Sequence, residues 1–485
     1  MTTRISRLTV PQLGTRGLEP FAQLLSPEEF AALQAHMDAA PRLLRGRVMW
    51  HVNSTARGGG VAEMLQNIVP YLRGSGIDAR WIVIAGNGEF FTVTKRIHNN
   101  LHGELGDAGD LDHAERSVYE STLQRNLRKL KGVVRPGDVV VLHDPQTAGL
   151  AGPLRRAGAF VVWRCHVGLD TPNELARRAW DFLRRYVVKA HLYVFSRAAF
   201  AWEGLEDEKI WVIPPSIDAF SPKNQDMAPR QVRAILAAAG LVAAQRSRAA
   251  TFTRMDGMEG RVERRARLVS EWAPPDPGAR LVLQVSRWDR LKDPYGVIEG
   301  FSRYVCGRTD AHLMLAGPDA GQVDDDPEGA AVLSSVRELC ERLPENVARR
   351  VHLAALPMTD SEENAAMVNA LQRHAAVVVQ KSLAEGFGLT VAEAMWKTRP
   401  VVASRIGGIQ DQIEDGHSGL LVRPTDLMAF GDAVVTVLQD PALGRRLGAE
   451  ARRTVTSRFL DTRQLAQHAD LVEHAISRLP EWSEL

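Results

Sequence analysis

The chain has 485 residues, 45% of them hydrophobic, too many for one ordinary core and enough for two domains of roughly 200 residues each. Lys and Arg number 60 against 58 Asp and Glu, a formal charge of +2, so no net field favours nucleic acid or an anionic membrane as a partner. The cysteines, Cys165, Cys306 and Cys340, are odd in number and lack C-x-x-C spacing, which argues against both a disulfide framework and a structural zinc site.

The N-terminal stretch MTTRISRLTVPQLGTRGLEP has no secretory apolar core, and no run approaches the ~20 apolar residues of a membrane span, so a cytoplasmic location is expected. Residues 1–45 read as an N-terminal helical extension. Short, continuously apolar runs then alternate with helical stretches: RVMWHV from Arg47, ARWIVIA from Ala79, DVVVLH from Asp138, AFVVWRC from Ala159, HLYVFS from His191 and WVI from Trp211. Continuous rather than alternating hydrophobicity is the mark of parallel strands buried on both faces. Residues 46–215 are therefore expected to form a Rossmann-like domain.

The proline-punctuated IPPSIDAFSPKN, Ile213 to Asn224, reads as a linker. The strand series restarts with RLVLQVS from Arg280, HLMLAG from His312, VHLAA from Val351, AVVVQ from Ala376, PVVAS from Pro400 and GLLV from Gly419. Residues 216–460 are expected to form a second Rossmann-like domain. Its arginine-rich segment, about 231–279, reads as a solvated helical insertion. A final helix, 461–485, is expected to pack back on the N-terminal domain. The fold class is thus α/β, with two Rossmann-like domains facing an inter-domain cleft.

In open parallel sheets ligands bind beyond the carboxyl ends of the strands, so residues just after each run are the candidates. After the first strand, Gly58, Gly59 and Gly60 sit before a helix with apolar residues at helical spacing, where backbone N–H groups can approach a phosphate or a sugar. An NAD site would need an acidic residue at the end of the second strand, and that strand ends in Ala85-Gly86. In the first domain Asn53, His143, Asp144, Gln146, Arg164, His166 and Asp170 follow strand ends and would line the cleft wall. In the second, Arg287 and Lys292 can neutralise charge on a departing diphosphate, the task a metal would otherwise perform.

The stretch QKSLAEGFGLTVAEAMWK sets Glu385 and Glu393 on either side of the turn Gly386-Phe387-Gly388-Leu389-Thr390. Thr390 and Glu393 fit a capping box at a helix start, a reading that leaves Glu385 unexplained. A sugar nucleotide uses the whole set: one carboxylate for sugar hydroxyls, cations and N–H groups for the diphosphate, the other carboxylate for the ribose diol. Asp324-Asp325-Asp326 contains a D-x-D pattern that can hold a divalent metal, and here reads as an acidic loop after a strand.

The E-x7-E arrangement, SRWDRLKDP upstream and PPSID at the domain junction resemble retaining GT-B glycosyltransferases of family 4. More narrowly, HVNSTARGGGVAEML, FFTVTKRIHNNLHG, LHDPQ, WRCHVGLD, PPSIDAFSPKN, DDPEG and EGFGLTVAEAMWK are similar to the trehalose glycosyltransferring synthases, from about Val48 to about Val422. The resemblance implies transfer of glucose from a nucleoside-diphosphate glucose to free glucose, reversibly. It places Glu385 at the donor glucose, Glu393 at the ribose, Arg287 and Lys292 on the diphosphate, the Gly58–Gly60 loop facing it, and His166 near the reacting carbon. Asn53, Asp144, Gln146 and Arg164 would shape the acceptor site.

The expectation is therefore a retaining glucosyltransferase with no cofactor and no obligatory metal. Its partners would be a sugar nucleotide and a sugar acceptor, with no nucleic acid and no membrane, and a homodimer as the assembly. The alternatives are a retaining trehalose phosphorylase, a related transferase with another acceptor, and a sugar-nucleotide binding protein without turnover. The segment from about Ala239 to Pro277 is longer than the family's compact connection, and AGPDAGQVDDDPEG departs in its first half.

Overall fold

A computed structural model describes residues 2–5, 8–56, 59–244, 249–269, 272–319, 321 and 328–477. The chain divides into two compact units, Met1–Ser216 with Asp461–Leu485, and Ile217–Leu460.

The first unit is built on an eight-stranded sheet. Its strands are β1 (Thr2–Ile5), β2 (Leu8–Pro11), β3 (Met49–Asn53), β4 (Ala79–Val83), β5 (Val139–His143), β6 (Phe160–Cys165), β7 (Leu192–Phe195) and β8 (Ile210–Val212), in the order β1-β2-β4-β3-β5-β6-β7-β8. From β4 to β8 every pairing is parallel; β2 runs antiparallel to β4, and β1 to β2. Residues 1–45 are thus more than the helical extension expected: they add two edge strands before the helix Pro27–Leu43. That helix starts at a capping box formed by Ser26 and Glu29, with Pro27 in its first turn.

The chain returns to this unit at its end. Helix Asp461–Ser477 packs on the helices Pro27–Leu43 and Gly60–Gly74, with His36 Nδ1 3.0 Å from Asp470 Oδ1. The core lies between sheet and helices and holds Trp50, Trp163, Phe195, Tyr119 and Trp202. Each such side chain contributes about 1.5–3 kcal/mol of burial.

The second unit holds a hairpin of β9 (Thr251–Thr253) and β10 (Glu259–Arg261), and a seven-stranded sheet. The sheet comprises β11 (Arg267–Leu268), β12 (Leu281–Val285), β13 (His312–Pro318), β14 (Val351–Leu356), β15 (Val377–Gln380), β16 (Val401–Ser404) and β17 (Leu420–Val422), ordered β11-β14-β13-β12-β15-β16-β17. All pairings are parallel except the short β11 on β14.

The arginine-rich segment is not a solvated helical insertion. Helix Pro229–Ala239 is followed by the hairpin, which buries Phe252 and Val262. It is anchored at two places: Arg254 pairs with Asp360 at 2.7 Å, and the buried Glu363 accepts from the N–H groups of Glu263 at 2.7 Å and Arg264 at 2.6 Å. Two of the arginines, Arg254 and Arg264, thus clamp the segment to the start of the helix Ser361–His374, whereas Arg233, Arg261, Arg265 and Arg267 are exposed.

Candidate active site

Each parallel sheet has a switch point, where successive strands leave in opposite directions and open a crevice beyond their carboxyl ends. In the second unit it lies between β12 and β15, which are neighbours although β13 and β14 intervene in sequence. Arg287 and Lys292 follow β12, and Glu385 follows β15, so the topology brings them to one place.

The loop after β12 closes as a tight turn, Arg290–Lys292, because Asp289 Oδ1 accepts from the Leu291 N–H at 2.8 Å. Gln284 on β12 donates to the Lys292 carbonyl at 2.9 Å, and the Leu383 N–H donates to the Leu291 carbonyl at 2.8 Å. Held on both sides, Lys292 Nζ donates to Glu385 Oε2 at 2.6 Å, and Ser382 Oγ donates to the same oxygen at 3.1 Å. Glu385 is 8% exposed, so this charge is desolvated and paired. Arg287 lies 3.5 Å from Asp289 Oδ2 and is partly exposed. Behind them the buried Lys381 pairs with Asp293 and donates to the Pro424 carbonyl at 2.6 Å.

The turn Gly386–Thr390 leads into the helix Leu389–Trp396, whose first residue follows Gly388 in the left-handed region at φ 85°. No side chain caps this helix, so the expected capping box is absent. Thr390 sits inside the first turn and donates its hydroxyl to Gln380 Oε1 at 3.0 Å. Glu393 is 0% exposed and meets Gln372 Nε2 at 3.3 Å and Lys223 Nζ at 3.5 Å. Tertiary partners have taken both groups that local capping would have used. The helix N-terminus is left without a side-chain cap, and its dipole makes such an end suited to negative charge.

Gly407 and Gly408, not anticipated from the sequence, back this turn. Gly407 has φ 49°, and a side chain there would meet the Glu385 carbonyl oxygen; one at Gly408 would meet the Phe387 backbone. The Gly408 N–H donates to the Gly386 carbonyl at 3.2 Å. The signal was available as the I-G-G stretch directly after β16.

In the first unit the switch point lies between β3 and β5. Gly59 caps the helix Gly60–Gly74 in extended geometry, and Gly60 is its first residue. Gly58 lies outside the described residues, as does the acidic triplet Asp324–Asp326. Asp144, after β5, stands at φ 61° and ψ 179°, a backbone region that costs a non-glycine residue on the order of 1–3 kcal/mol. Its Oδ1 accepts from the His166 N–H at 2.8 Å and its own N–H donates to the Arg164 carbonyl at 2.8 Å, which hold the strained turn. Burial pushes the Asp144 carboxyl up to about 7, opposed by the His166 N–H and the Arg164 charge. Gln146 is partly buried beside it. Asp170 forms an ion pair with Arg197.

Two residues expected at the acceptor face protein instead. Asn53 Oδ1 accepts from Trp81 Nε1 at 2.7 Å, and its amide donates to the Thr55 carbonyl at 2.7 Å. Arg164 lies within β6, 1% exposed, with one guanidinium nitrogen 3.0 Å from His468 Nε2 and the other donating to the Ile213 carbonyl at 3.2 Å. Burial beside Arg463 lowers it to about 9. Both follow from the pleat, which turns alternate residues of a strand buried on both faces into one layer or the other. His51, His143 and His166 stand in contact across this sheet, with His51 Nδ1 3.1 Å from His143 Nε2 and His143 Nδ1 3.2 Å from His166 Nε2.

Among the described residues no group of three or more His, Cys, Asp or Glu side chains is arranged to hold a metal ion, and no helix is long and apolar enough to cross a membrane.

Residues 51–202 match the family "Trehalose synthase, N-terminal domain", and residues 279–440 match "Glycosyl transferases group 1". The chain is 34% identical to the trehalose synthase of Pyrococcus horikoshii over 460 residues, covering 95% of this chain and 96% of that one. It is also 34% identical to the trehalose synthase of Rubrobacter xylanophilus over 455 residues, 93% and 95% of the two chains. Among solved structures, an α,α-trehalose-phosphate synthase (UDP-forming) from Burkholderia vietnamiensis superposes with a TM-score of 0.64 at 16% identity, covering 88% of this chain and 98% of that one, a likeness of fold alone. With two parallel-sheet units, a paired lysine and glutamate at the switch point of the second, and near full-length likeness to these synthases, the chain belongs to the trehalose synthase family of GT-B glycosyltransferases.

Proposed function

We propose that this enzyme moves glucose from a nucleoside-diphosphate glucose to free glucose, with retention at the transferred carbon, to form trehalose. The observation that carries the reading is the Lys292–Glu385 pair beside the uncapped N-terminus of the helix Leu389–Trp396. A sugar joined to a diphosphate presents hydroxyls next to negative charge, and this pair offers a carboxylate next to a cation, 2.6 Å apart. Lys292, Arg287 and the first N–H groups of the helix take up the negative charge that grows on the leaving diphosphate. Glu385 accepts hydrogen bonds from sugar hydroxyls and, through Lys292, fixes the spacing between sugar and phosphate. Glu393 lies one turn into the helix, and a ribose diol reaches its carboxylate only by displacing Lys223 or Gln372.

In the first unit the helix Gly60–Gly74 presents Gly59 and Gly60 at its N-terminus. Asp144 and Gln146 offer hydrogen-bonding groups to a sugar. Burial and the Arg164 charge hold the His166 pKa well below its usual range, so His166 meets a sugar as a neutral imidazole. With the departing phosphate as the group that takes the acceptor's proton, no protein nucleophile is required, and no resident metal either.

The test is a matrix of UDP-, ADP- and GDP-glucose against free sugars, with product anomers read by NMR and every reaction repeated in EDTA. An α,α-linked disaccharide from free glucose, formed equally in EDTA, is the expected result. Turnover only with inorganic phosphate, only with another acceptor, or nucleotide binding with no product would overturn it.

A further inference from the structure

The contacts among His51, His143 and His166 follow a rule of register. His51 on β3 pairs with Val141 on β5, and His143 lies two residues on; His143 pairs with Arg164 on β6, and His166 lies two residues on. Each step moves one strand across and two residues along, which keeps the side chain on the same face and at diagonal contact distance. The result is a row of three imidazoles joined by two links of 3.1 Å and 3.2 Å, with the last two rings stacked at 11°.

All three rings are neutral, because burial and the neighbouring Arg164 charge penalise a further cation, holding His51 at about 3 and the other two well below the usual histidine range. The groups around the row agree with this. Arg164 has its own partner in His468, whose Nδ1–H donates to the Gln464 carbonyl at 2.7 Å and whose Nε2 accepts from Arg164, and Asp144 Oδ1 is occupied by the His166 N–H.

Three neutral rings joined by two hydrogen bonds have only two consistent proton orders. In one, His51 Nδ1–H donates to His143, His143 Nδ1–H donates to His166 Nε2, and His166 keeps its proton on Nδ1. In the other every bond is reversed, and the His166 Nδ1 is a bare lone pair. The sealed end of the row decides between them. His51 Nε2 is buried and has no hydrogen-bond partner among the described residues. The second order would place an N–H there, and a buried N–H without an acceptor is the rarer and costlier defect.

We propose that this row is a tautomer lock: His51 and His143 are positioning residues that hold His166 in the Nδ1–H form, so that His166 offers its sugar a hydrogen-bond donor and never a base. A lone pair at that site would compete with the departing phosphate for the acceptor's proton; a fixed donor leaves that task to the phosphate. The consequence for turnover rests on the placing of His166 at the sugar site above, whereas the tautomer itself does not.

The full-length protein labelled with 15N-histidine gives the first measurement. Long-range proton–nitrogen correlations, with the His166 signals assigned by their loss in His166→Gln, are expected to show a protonated Nδ1 and a bare Nε2 from about pH 6 to about pH 8, the range where a free histidine titrates. A proton on Nε2 in the wild-type protein overturns the lock, and this readout needs no altered core. The second measurement compares His143→Ala with His143→Gln, whose amide can accept from His51 and donate to His166. His143→Ala is expected to lose about tenfold in kcat, typical of a partner that orients a working imidazole, and to let His166 populate the Nε2–H tautomer beside the Nδ1–H form. His143→Gln is expected to stay within about threefold of wild type at every pH. Wild-type tautomer and wild-type kcat in folded His143→Ala would also overturn the proposal. Full turnover in His166→Ala with the Nδ1–H tautomer intact would instead count against the place of His166 at the sugar, so the two failures are told apart.

Discussion

Lys292 and Glu385 are 93 residues apart in the chain and hold each other at 2.6 Å at the switch point of the second sheet. Neither charge is free: the cation that a diphosphate would meet is already balanced by the carboxylate that a sugar would meet. Lys292→Ala is expected to lower donor-dependent turnover about 10²–10³-fold, the usual cost of removing one donor aimed at developing charge. It also strands a nearly buried carboxylate, so urea unfolding should show a loss on the order of 2 kcal/mol. Glu385→Gln keeps the shape and should lose turnover with a smaller change in stability. Wild-type initial rates in either variant would remove the pair from the site.

Gly407 lies against the backbone of Glu385, so its replacement should reach the site. At φ 49° a side chain is strained, and its Cβ would run into the Glu385 carbonyl oxygen. Gly407→Ala is expected to lower the unfolding free energy by about 2 kcal/mol and to raise the KM for donor, because the 385–388 turn must move. Thermal unfolding and donor titration check this together. A rise in KM without loss of stability would mean the turn yields without strain.

Asp144 gives a pH dependence with a definite sign. Its carboxyl is raised from 3.8 unfolded to about 7 folded, so the folded state holds the proton more tightly between those values. Stability should therefore fall as pH rises from about 4 to about 7, and be level above. Asp144→Asn keeps the oxygen that accepts the His166 N–H and removes the titration. Its stability relative to wild type should climb across that window and then stay flat, as followed by urea midpoints at successive pH values. A constant difference from pH 4 to 8 would show that the carboxyl does not titrate there.

Glu363 is 1% exposed and gathers two backbone N–H groups and the Arg264 guanidinium at the root of the β9–β10 hairpin. Glu363→Ala should lower stability by about 2–3 kcal/mol while leaving turnover of the folded fraction unchanged, since it lies outside the proposed site. Loss of kcat in fully folded protein would give the hairpin a part in the reaction.

Much of this architecture was legible because strands buried on both faces leave continuous apolar runs; β3 to β8 and β12 to β17 each fall on such a run. The short polar strands were not, since TTRI and the hairpin pieces TFT and EGR are defined by pairing and anchoring partners rather than by their own hydrophobicity. Strand-end position made Lys292 and Glu385 candidates, but their pairing depends on β12 and β15 being neighbours, a fact of topology. Local pattern misled at Thr390 and Glu393, where a capping box was outcompeted by Gln380, Gln372 and Lys223. The protein partners of Arg164 and Asn53 were not legible either, because a strand-end polar residue can face either layer. The contacts of His51, His143 and His166 were hidden in another way: they need the strand register.

The partner of Arg164 comes from 304 residues further along the chain. A ribosome adding about 5–20 residues each second would need roughly 15–60 s to deliver His468 after Arg164 has emerged. For that interval the first half of the nascent protein carries an arginine in an unfinished interior, its guanidinium either solvated or shielded by something else. The unit that is started first is thus completed last, and its maturation is timed by the synthesis of the other.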